Sequence, residues 1–281
     1  MAWRPPSNDR FYRSMVRAAE FLGWVFRVRV HSSGTEHLPP PGARQGASRV
    51  PIPGSGAVFA ITHFGYVDFA VAELLLWKHS GAQLRFLVHQ GAADHWLAGP
   101  AISASGHIVV GYTDHSGAYD AAVAKLRAGE YLAVFPEAGV SRSFTVRECR
   151  TGAVRMAAEA GVPLIPVSIW GGHRVLTRGH GFSLRRGWRA PICVHVGAPT
   201  LFQPDVDVEA ATGTLRRSLQ AGINSCIAGF PLHPEPGDWW MPAHLGGGAP
   251  TEAERQLLDA ADAARIRRRH PREKQPPPQA T

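Results

Sequence analysis

Two rhythms of apolar and polar residues run through the middle of this chain. Short, nearly continuous apolar runs recur at 57–62 (AVFAIT), 84–89 (LRFLVH), 107–110 (HIVV), 131–135 (YLAVF), 164–169 (LIPVSI) and 192–196 (ICVHV). Each has the length of a strand, and the lack of in-and-out alternation marks strands buried on both faces. Between them the apolar positions space out to a helical period over 68–77, over 117–128 with Tyr119, Ala122, Val123 and Leu126 on one face, and over 152–160. Gly129 and Gly161 follow the last two and supply the left-handed residue on which helices stop. Alternating strands and helices predict an α/β fold, a mixed and largely parallel sheet covered by helices, over about residues 55–232. Ligands of such sheets sit beyond the carboxyl ends of the strands.

The flanks follow other patterns. Within residues 1–54, Phe11, Met15, Ala18, Leu22 and Val25 recur at steps of four and three, with Arg10, Arg13, Arg17, Arg27 and Arg29 around the stripe. Such an amphipathic helix either lies in a lipid interface, where its cations meet anionic head groups, or packs its stripe on the domain as any surface helix does. The Pro- and Gly-rich stretch 37–56 has no periodicity and predicts an exposed loop. Residues 233–281 predict a C-terminal extension. Thr251 and Glu254 have capping-box spacing and start a helix over about 252–269, after a turn-rich segment with Trp239 and Trp240. The basic, Pro-rich end has nothing to bury and predicts a disordered tail. Trp77, Trp96, Trp170, Trp239 and Trp240 suit the core, the lining of an apolar tunnel or a membrane edge.

Composition narrows the partners. At 281 residues, 44% hydrophobic and 19% charged, the chain can build one substantial globular core. Its net charge of +8 asks for an anionic partner: nucleic acid, a phosphorylated substrate or an anionic membrane face. No ordered alternation of basic and aromatic residues supports nucleic acid. Cys149, Cys193 and Cys226 show neither C-x-x-C nor zinc-ligand spacing, so no disulfide framework or metal site is expected and a reducing compartment is. No apolar run approaches the roughly 18–20 residues of a membrane span, and the start lacks a signal-peptide core, which predicts a cytosolic or membrane-surface location.

Candidate chemistry begins with histidine and aspartate five positions apart. With 14 histidines and ten aspartates in 281 residues, chance supplies about half of one such pair. There are four: His63/Asp68, His89/Asp94, His115/Asp120 and His233/Asp238. The last falls in a Pro-rich loop. Asp94 is placed to cap a helix after His89, and Asp120 to favour the N-terminus of the helix beginning near His115. His63 instead follows an apolar strand, and Asp68 opens an apolar helix, with Gly65 between them permitting an unusual backbone. The pair is either a satisfied core histidine beside a helix cap or a base with its orienting carboxylate.

Around that pair the sequence resembles the glycerolipid acyltransferases, the family that includes the 1-acylglycerol-3-phosphate acyltransferases. THFGYVDF (62–69) resembles the family's His-x-x-x-x-Asp block, VFPEAGVSRS (134–143) its Phe-Pro-Glu-Gly-Thr-Arg-Ser block, RTGAVRMAAEAG (150–161) the segment after it, and VPLIPVSIWG (162–171) its Val-Pro-x-x-Pro-Val block. The lead-in 28–42 resembles the strand before the first block. The resemblance implies transfer of a fatty acyl group from an acyl-CoA or acyl carrier protein thioester, a co-substrate and the sole cofactor-like requirement, to the free hydroxyl of a lysophospholipid. It implies His63 as general base, Asp68 as its orienting partner, and Glu137, Gly139 and Arg142 at the acceptor site, on the cytoplasmic face of the membrane with no covalent acyl-enzyme. The absence of a Gly-x-Ser-x-Gly elbow agrees with direct transfer. Four departures touch phosphate recognition: Ala138 replaces a glycine, Arg142 falls two positions late, Tyr112 stands where an arginine is usual, and a lysine usual near His89 is missing. Either other arginines (Arg147, Arg150, Arg155) compensate, or the acceptor lacks a phosphate monoester. A lipid-binding protein without catalysis on the same fold is the alternative of a different class.

Overall fold

The structure, a computed structural model, describes residues 9–40, 55–94, 98–111 and 115–269. In chain order the elements are α1 (Asp9–Val25), β1 (Arg29–Ser33), β2 (Ala57–Ile61), α2 (Asp68–Ser80), β3 (Leu84–His89), α3 (Gln90–Ala93), α4 (Ala98–Ala104), β4 (Ile108–Val110), α5 (His115–Arg127), β5 (Tyr131–Val134), α6 (Gly152–Ala160), β6 (Leu164–Trp170), α7 (Gly172–Val175), α8 (Leu184–Gly187), β7 (Pro191–Val196), α9 (Val208–Ala228) and α10 (Glu252–Arg269). The strands form one sheet in the order β1-β7-β6-β2-β5-β3-β4. Neighbours run parallel except β6 and β7, so the mixed, largely parallel sheet predicted from the apolar runs is present.

β2 is the central strand, and all five of its residues are buried. Val58 and Ala60 join a core built with Val123 and Leu126 of α5, Val154 of α6 and Leu219 and Ile223 of α9. Ala57, Phe59 and Ile61 point the other way, into a core with Val71 and Leu76 of α2. That two-sided burial is why the strand carries no polar face. After β2 the chain crosses through α2 to β3, beyond β5; after β5 it crosses through α6 to β6, on the opposite side of β2. The crossovers therefore diverge at the carboxyl ends of β2 and β5, which opens a crevice there.

Several expectations change. α9 is absent from the sequence prediction because its buried positions include Thr212, Gly222 and Cys226 beside Leu215, Leu219 and Ile223. A Cβ on Gly222 would stand 2.4 Å from Ser168 Oγ, so the helix needs a glycine where it meets β6. His89 caps α3, its Nδ1 accepting from Gly91 N at 3.0 Å, and Asp94 closes that helix; the residues directly after Asp94, where it was expected to cap, lie outside the described residues. α1 packs through Tyr12 and Val16, with Tyr12 Oη accepting from Leu84 N at 3.1 Å. Of the predicted stripe, Met15, Leu22 and Val25 are exposed, as are Phe21 and Trp24, the last at 74%. The capping box forms as expected, with Thr251 N donating to Glu254 Oε2 at 2.8 Å and Glu254 N to Thr251 Oγ1 at 3.3 Å. The C-terminal extension also reaches inward, since Trp240 and Met241 belong to the core that contains Trp170. Trp96, Tyr112, residues 41–54 of the predicted loop and the part of the predicted tail beyond 269 lie outside the described residues.

Candidate active site

His63 stands two residues beyond the central strand. Thr62 keeps the chain tied to β6 up to that point: its N donates to Val167 O at 3.0 Å and its Oγ1 accepts from Ile169 N at 2.9 Å. Phe64 then inserts among the rings of Phe144, Trp170 and His173 and pins the following turn. Asp68, the first residue of α2, is fully buried; its Oδ2 accepts from Phe64 N at 2.8 Å and Gly65 N at 2.7 Å. His63 Nδ1 faces the same oxygen at 3.6 Å. Among the described residues, neither that nitrogen nor Asp68 Oδ1 has a hydrogen-bond partner. The imidazole stacks on Phe135 with centroids 3.9 Å apart and planes 17° apart, which sets the plane of the ring. Burial holds the Asp68 carboxyl above the ordinary carboxylate range, with the imidazole and the two N–H donors acting against it.

The loop after β6 closes over this turn. A Cβ on Gly65 would lie 2.7 Å from His173 N, and one on Gly172 would lie 2.7 Å from Asp68 Oδ1, so both sides of the contact need glycine. Thr177 Oγ1 donates to Phe64 O at 2.5 Å and Tyr66 N to Leu176 O at 3.0 Å. His173 is fully buried, with Nε2 3.0 Å from Trp240 O, which ties the C-terminal segment to the same place.

The segment after β5 holds His63 from the other side. Glu137 Oε1 accepts from His63 N at 2.9 Å and Oε2 from Arg147 N at 3.0 Å, while Ser141 N donates to His63 O at 2.9 Å. Glu137 is thus buried as a brace on the histidine backbone. Glu137→Ala leaves two buried N–H groups without an acceptor, and denaturant unfolding is expected to show a loss of about 1–3 kcal/mol for each. Ala138 has φ 54, the left-handed backbone that favours glycine, so the substitution in this block keeps the conformation. A Cβ on Gly139 would lie 3.0 Å from Arg147 Nη1, and glycine there leaves room for the guanidinium.

Arg142 is engaged within the chain. Its Nη2 donates to Asp262 Oδ2 of α10 at 2.5 Å. Arg147 and Arg178 reach α10 as well, Arg147 Nη2 lying 3.4 Å from Asp259 Oδ2 and Arg178 Nη2 2.8 Å from Asp262 Oδ2. Arg150 and Arg155 stay outside this cluster; both are exposed, and Arg155 lies over the ring of Tyr119 at 5.2 Å. Phe135, His173, Arg178, Asp259 and Asp262 are absent from the sequence-derived candidates. Only Phe135 carried a signal, as the last apolar residue of a strand run. Of the remaining pairs, Asp238 Oδ2 accepts from Glu235 N at 2.8 Å in a turn, and Asp120 is exposed on α5.

Four buried groups set an acid–base signature. Burial pushes His107 and His173 down to about 3 from an ordinary 6.5, and Glu73 and Glu137 up to about 8 from 4.5. The histidines contribute stability that is present above 6.5 and lost as pH falls toward 3; the glutamates contribute stability that is present below 4.5 and lost as pH rises through 8. Between 4.5 and 6.5 the two effects oppose each other, so Tm is expected to peak in that window and fall on both sides in a scan from about pH 3 to 9.

The family model described as Acyltransferase matches residues 29–170, from the start of β1 to the end of β6. The crystal structure of the 1-acyl-sn-glycerophosphate (LPA) acyltransferase PlsC from Thermotoga maritima is similar at a TM-score of 0.56 and 17% identity, covering 79% of this chain and 83% of that one. At that identity the likeness is one of fold. No curated protein matches the sequence. With the family match spanning more than half of its length and enclosing the His63/Asp68 turn, the chain belongs to the acyltransferase family.

Proposed function

We propose that the protein is an O-acyltransferase that moves a fatty acyl group from acyl-CoA or acyl carrier protein to the free hydroxyl of a lysophospholipid, with 1-acyl-sn-glycerol-3-phosphate as the acceptor and phosphatidic acid as the product. The observation that carries this reading is the position of His63 Nδ1 at 3.6 Å from a buried Asp68 at the carboxyl end of the central strand. A neutral hydroxyl is a weak nucleophile, and attack on the thioester carbonyl requires its proton to leave as the C–O bond forms. With Nδ1 turned to the carboxylate, Nε2 is the nitrogen that takes this proton. The proton then goes to the departing thiolate. Asp68 fixes the tautomer and stabilises the imidazolium.

The same reading places the enzyme on the cytoplasmic, anionic face of a membrane. The exposed Phe21 and Trp24 of α1 are continued by Phe182, Leu184 and Trp188, which are also exposed, and Phe26 and Phe182 join the two segments edge to face at 6.0 Å. Arg27 lies 5.7 Å over the Trp188 ring. No described helix is long and apolar enough to cross a membrane. An apolar patch with cations beside it suits an interfacial position. Phe21→Asp with Trp24→Asp is expected to weaken binding to vesicles containing anionic lipid by at least about tenfold in a sedimentation assay.

The test of the reaction is thiol release from palmitoyl- or oleoyl-CoA with lysophosphatidic acid, glycerol-3-phosphate, other lysophospholipids, a monoacylglycerol or no acceptor. Release that requires an acceptor and is fastest with lysophosphatidic acid is expected. A faster neutral acceptor would move the assignment away from phosphate monoesters. A folded protein inactive with both acyl-CoA and acyl carrier protein donors would replace catalysis with lipid binding.

A further inference from the structure

The arginines beside the His63 turn are held by a helix that has little else to hold it. Asp262 Oδ2 accepts from Arg142 Nη2 at 2.5 Å and lies 2.8 Å from Arg178 Nη2; Asp259 lies 3.4 Å from Arg147 Nη2 and 3.6 Å from Arg178 Nη1. Each arginine is close to the loops that fix the turn. Ser141, next to Arg142, binds His63 O; Thr177, next to Arg178, binds Phe64 O; and Arg147 N donates to the Glu137 carboxyl that braces His63. Within residues 252–265 of α10, Arg255 is the sole buried residue, and Leu257 and Leu258 are exposed. The helix therefore docks through ion pairs and not through a core, and partly exposed ion pairs exchange readily for other anions.

Charge and shape indicate which anion. Asp259 and Asp262, which also pair with Arg255 and Arg265 of their own helix, supply two negative charges to the three guanidinium groups of the loops. A phosphate monoester carries nearly two charges near neutral pH and three acceptor oxygens, and guanidinium groups bind such oxygens in a bidentate fork. We infer that Arg142, Arg147 and Arg178 form a phosphate-monoester site beside His63, that Asp259 and Asp262 occupy it from within the chain, and that an incoming phosphate displaces α10. The consequence for a lysolipid acceptor rests on the acyltransferase reading; the anion site itself does not. The helix then acts as a built-in competitor, and the altered arginine position at 142 is met by recruitment of Arg147 and Arg178.

Inorganic phosphate is the first probe, on the full chain. Asp262→Asn removes one carboxylate and leaves the Asp259 to Arg255 pair within α10, where Oδ2 lies 2.5 Å from Nη1. Phosphate affinity, read by calorimetry, is expected to rise about tenfold in this variant, and adding Arg178→Gln is expected to cancel the gain. Equal affinity in the parent and Asp262→Asn overturns the inference. A second measurement needs no variant: amide hydrogen exchange over residues 252–265 of the parent is expected to speed up when phosphate binds, and unchanged exchange in the phosphate-bound protein overturns the displacement. With lysophosphatidic acid as acceptor, the KM of Asp262→Asn is expected to fall about tenfold, while the KM for a monoacylglycerol stays as in the parent. If neither protein releases thiol with any acceptor, the enzymatic reading fails and the phosphate measurements alone decide the site.

Discussion

His63→Ala is expected to slow acyl transfer by about 10²–10⁴-fold, the range that a positioned general base contributes, while leaving the fold in place. Both halves of that expectation come from the same geometry. The imidazole projects from the end of β2, stacks on Phe135 and meets Tyr66 edge-on, so its removal takes away two ring contacts. What fixes the segment is the backbone. His63 N donates to Glu137, His63 O accepts from Ser141, and the next two N–H groups donate to Asp68. Alanine keeps all of these bonds. Thiol release under single-turnover conditions reads the chemical step, and a thermal melt of the same preparation reads the fold. Loss of activity at an unchanged Tm supports proton removal by His63. Activity within about tenfold of the parent would mean that another group takes the proton.

The sheet could be read from the chain because its strands are short, apolar and bounded by turns, and because a strand buried on both faces cannot hold polar residues without partners. β3 falls on the residues predicted and β2, β5 and β6 on nearly the same ones. α9 escaped because close packing on β6 selects glycine, threonine and cysteine at contact positions, and these weaken a periodic apolar signal. α1 shows the opposite effect: its most regular apolar stripe is exposed, and its buried face is the less regular pair Tyr12 and Val16. Periodicity reports that a face is apolar, not what covers it. At the site, the place of His63 after a strand and of Asp68 at a helix start set that pair apart from three others of equal spacing, and Glu137 entered through the resemblance of its block. The partners of Arg142 were not legible, since Arg178 follows β6 and Asp262 lies 120 residues away on α10. No sequence spacing encodes a contact between elements that meet only in the folded chain.

Asp68→Asn should separate the role of the carboxylate from its place in the fold. The side-chain amide is isosteric, and its carbonyl oxygen still accepts from Phe64 N and Gly65 N, the two bonds that shape the turn. Burial disfavours the charged form of Asp68, so a neutral amide is expected to leave the melting temperature unchanged or raise it. The rate is another matter. When His63 takes the hydroxyl proton, a positive charge appears on a ring whose Nδ1 faces Asp68 at 3.6 Å, and asparagine offers no countercharge. Transfer is therefore expected to fall by about 10²–10⁴-fold, comparable to the loss in triads whose aspartate becomes asparagine. Because Asp68 is a positioning residue that acts through His63, its effect depends on that ring being present. In a His63→Ala background, Asp68→Asn should cost almost nothing further, a coupling that kinetics on the two single variants and the double variant measures directly. Losses that multiply would instead assign Asp68 a role independent of His63, such as holding the turn against which the acceptor docks.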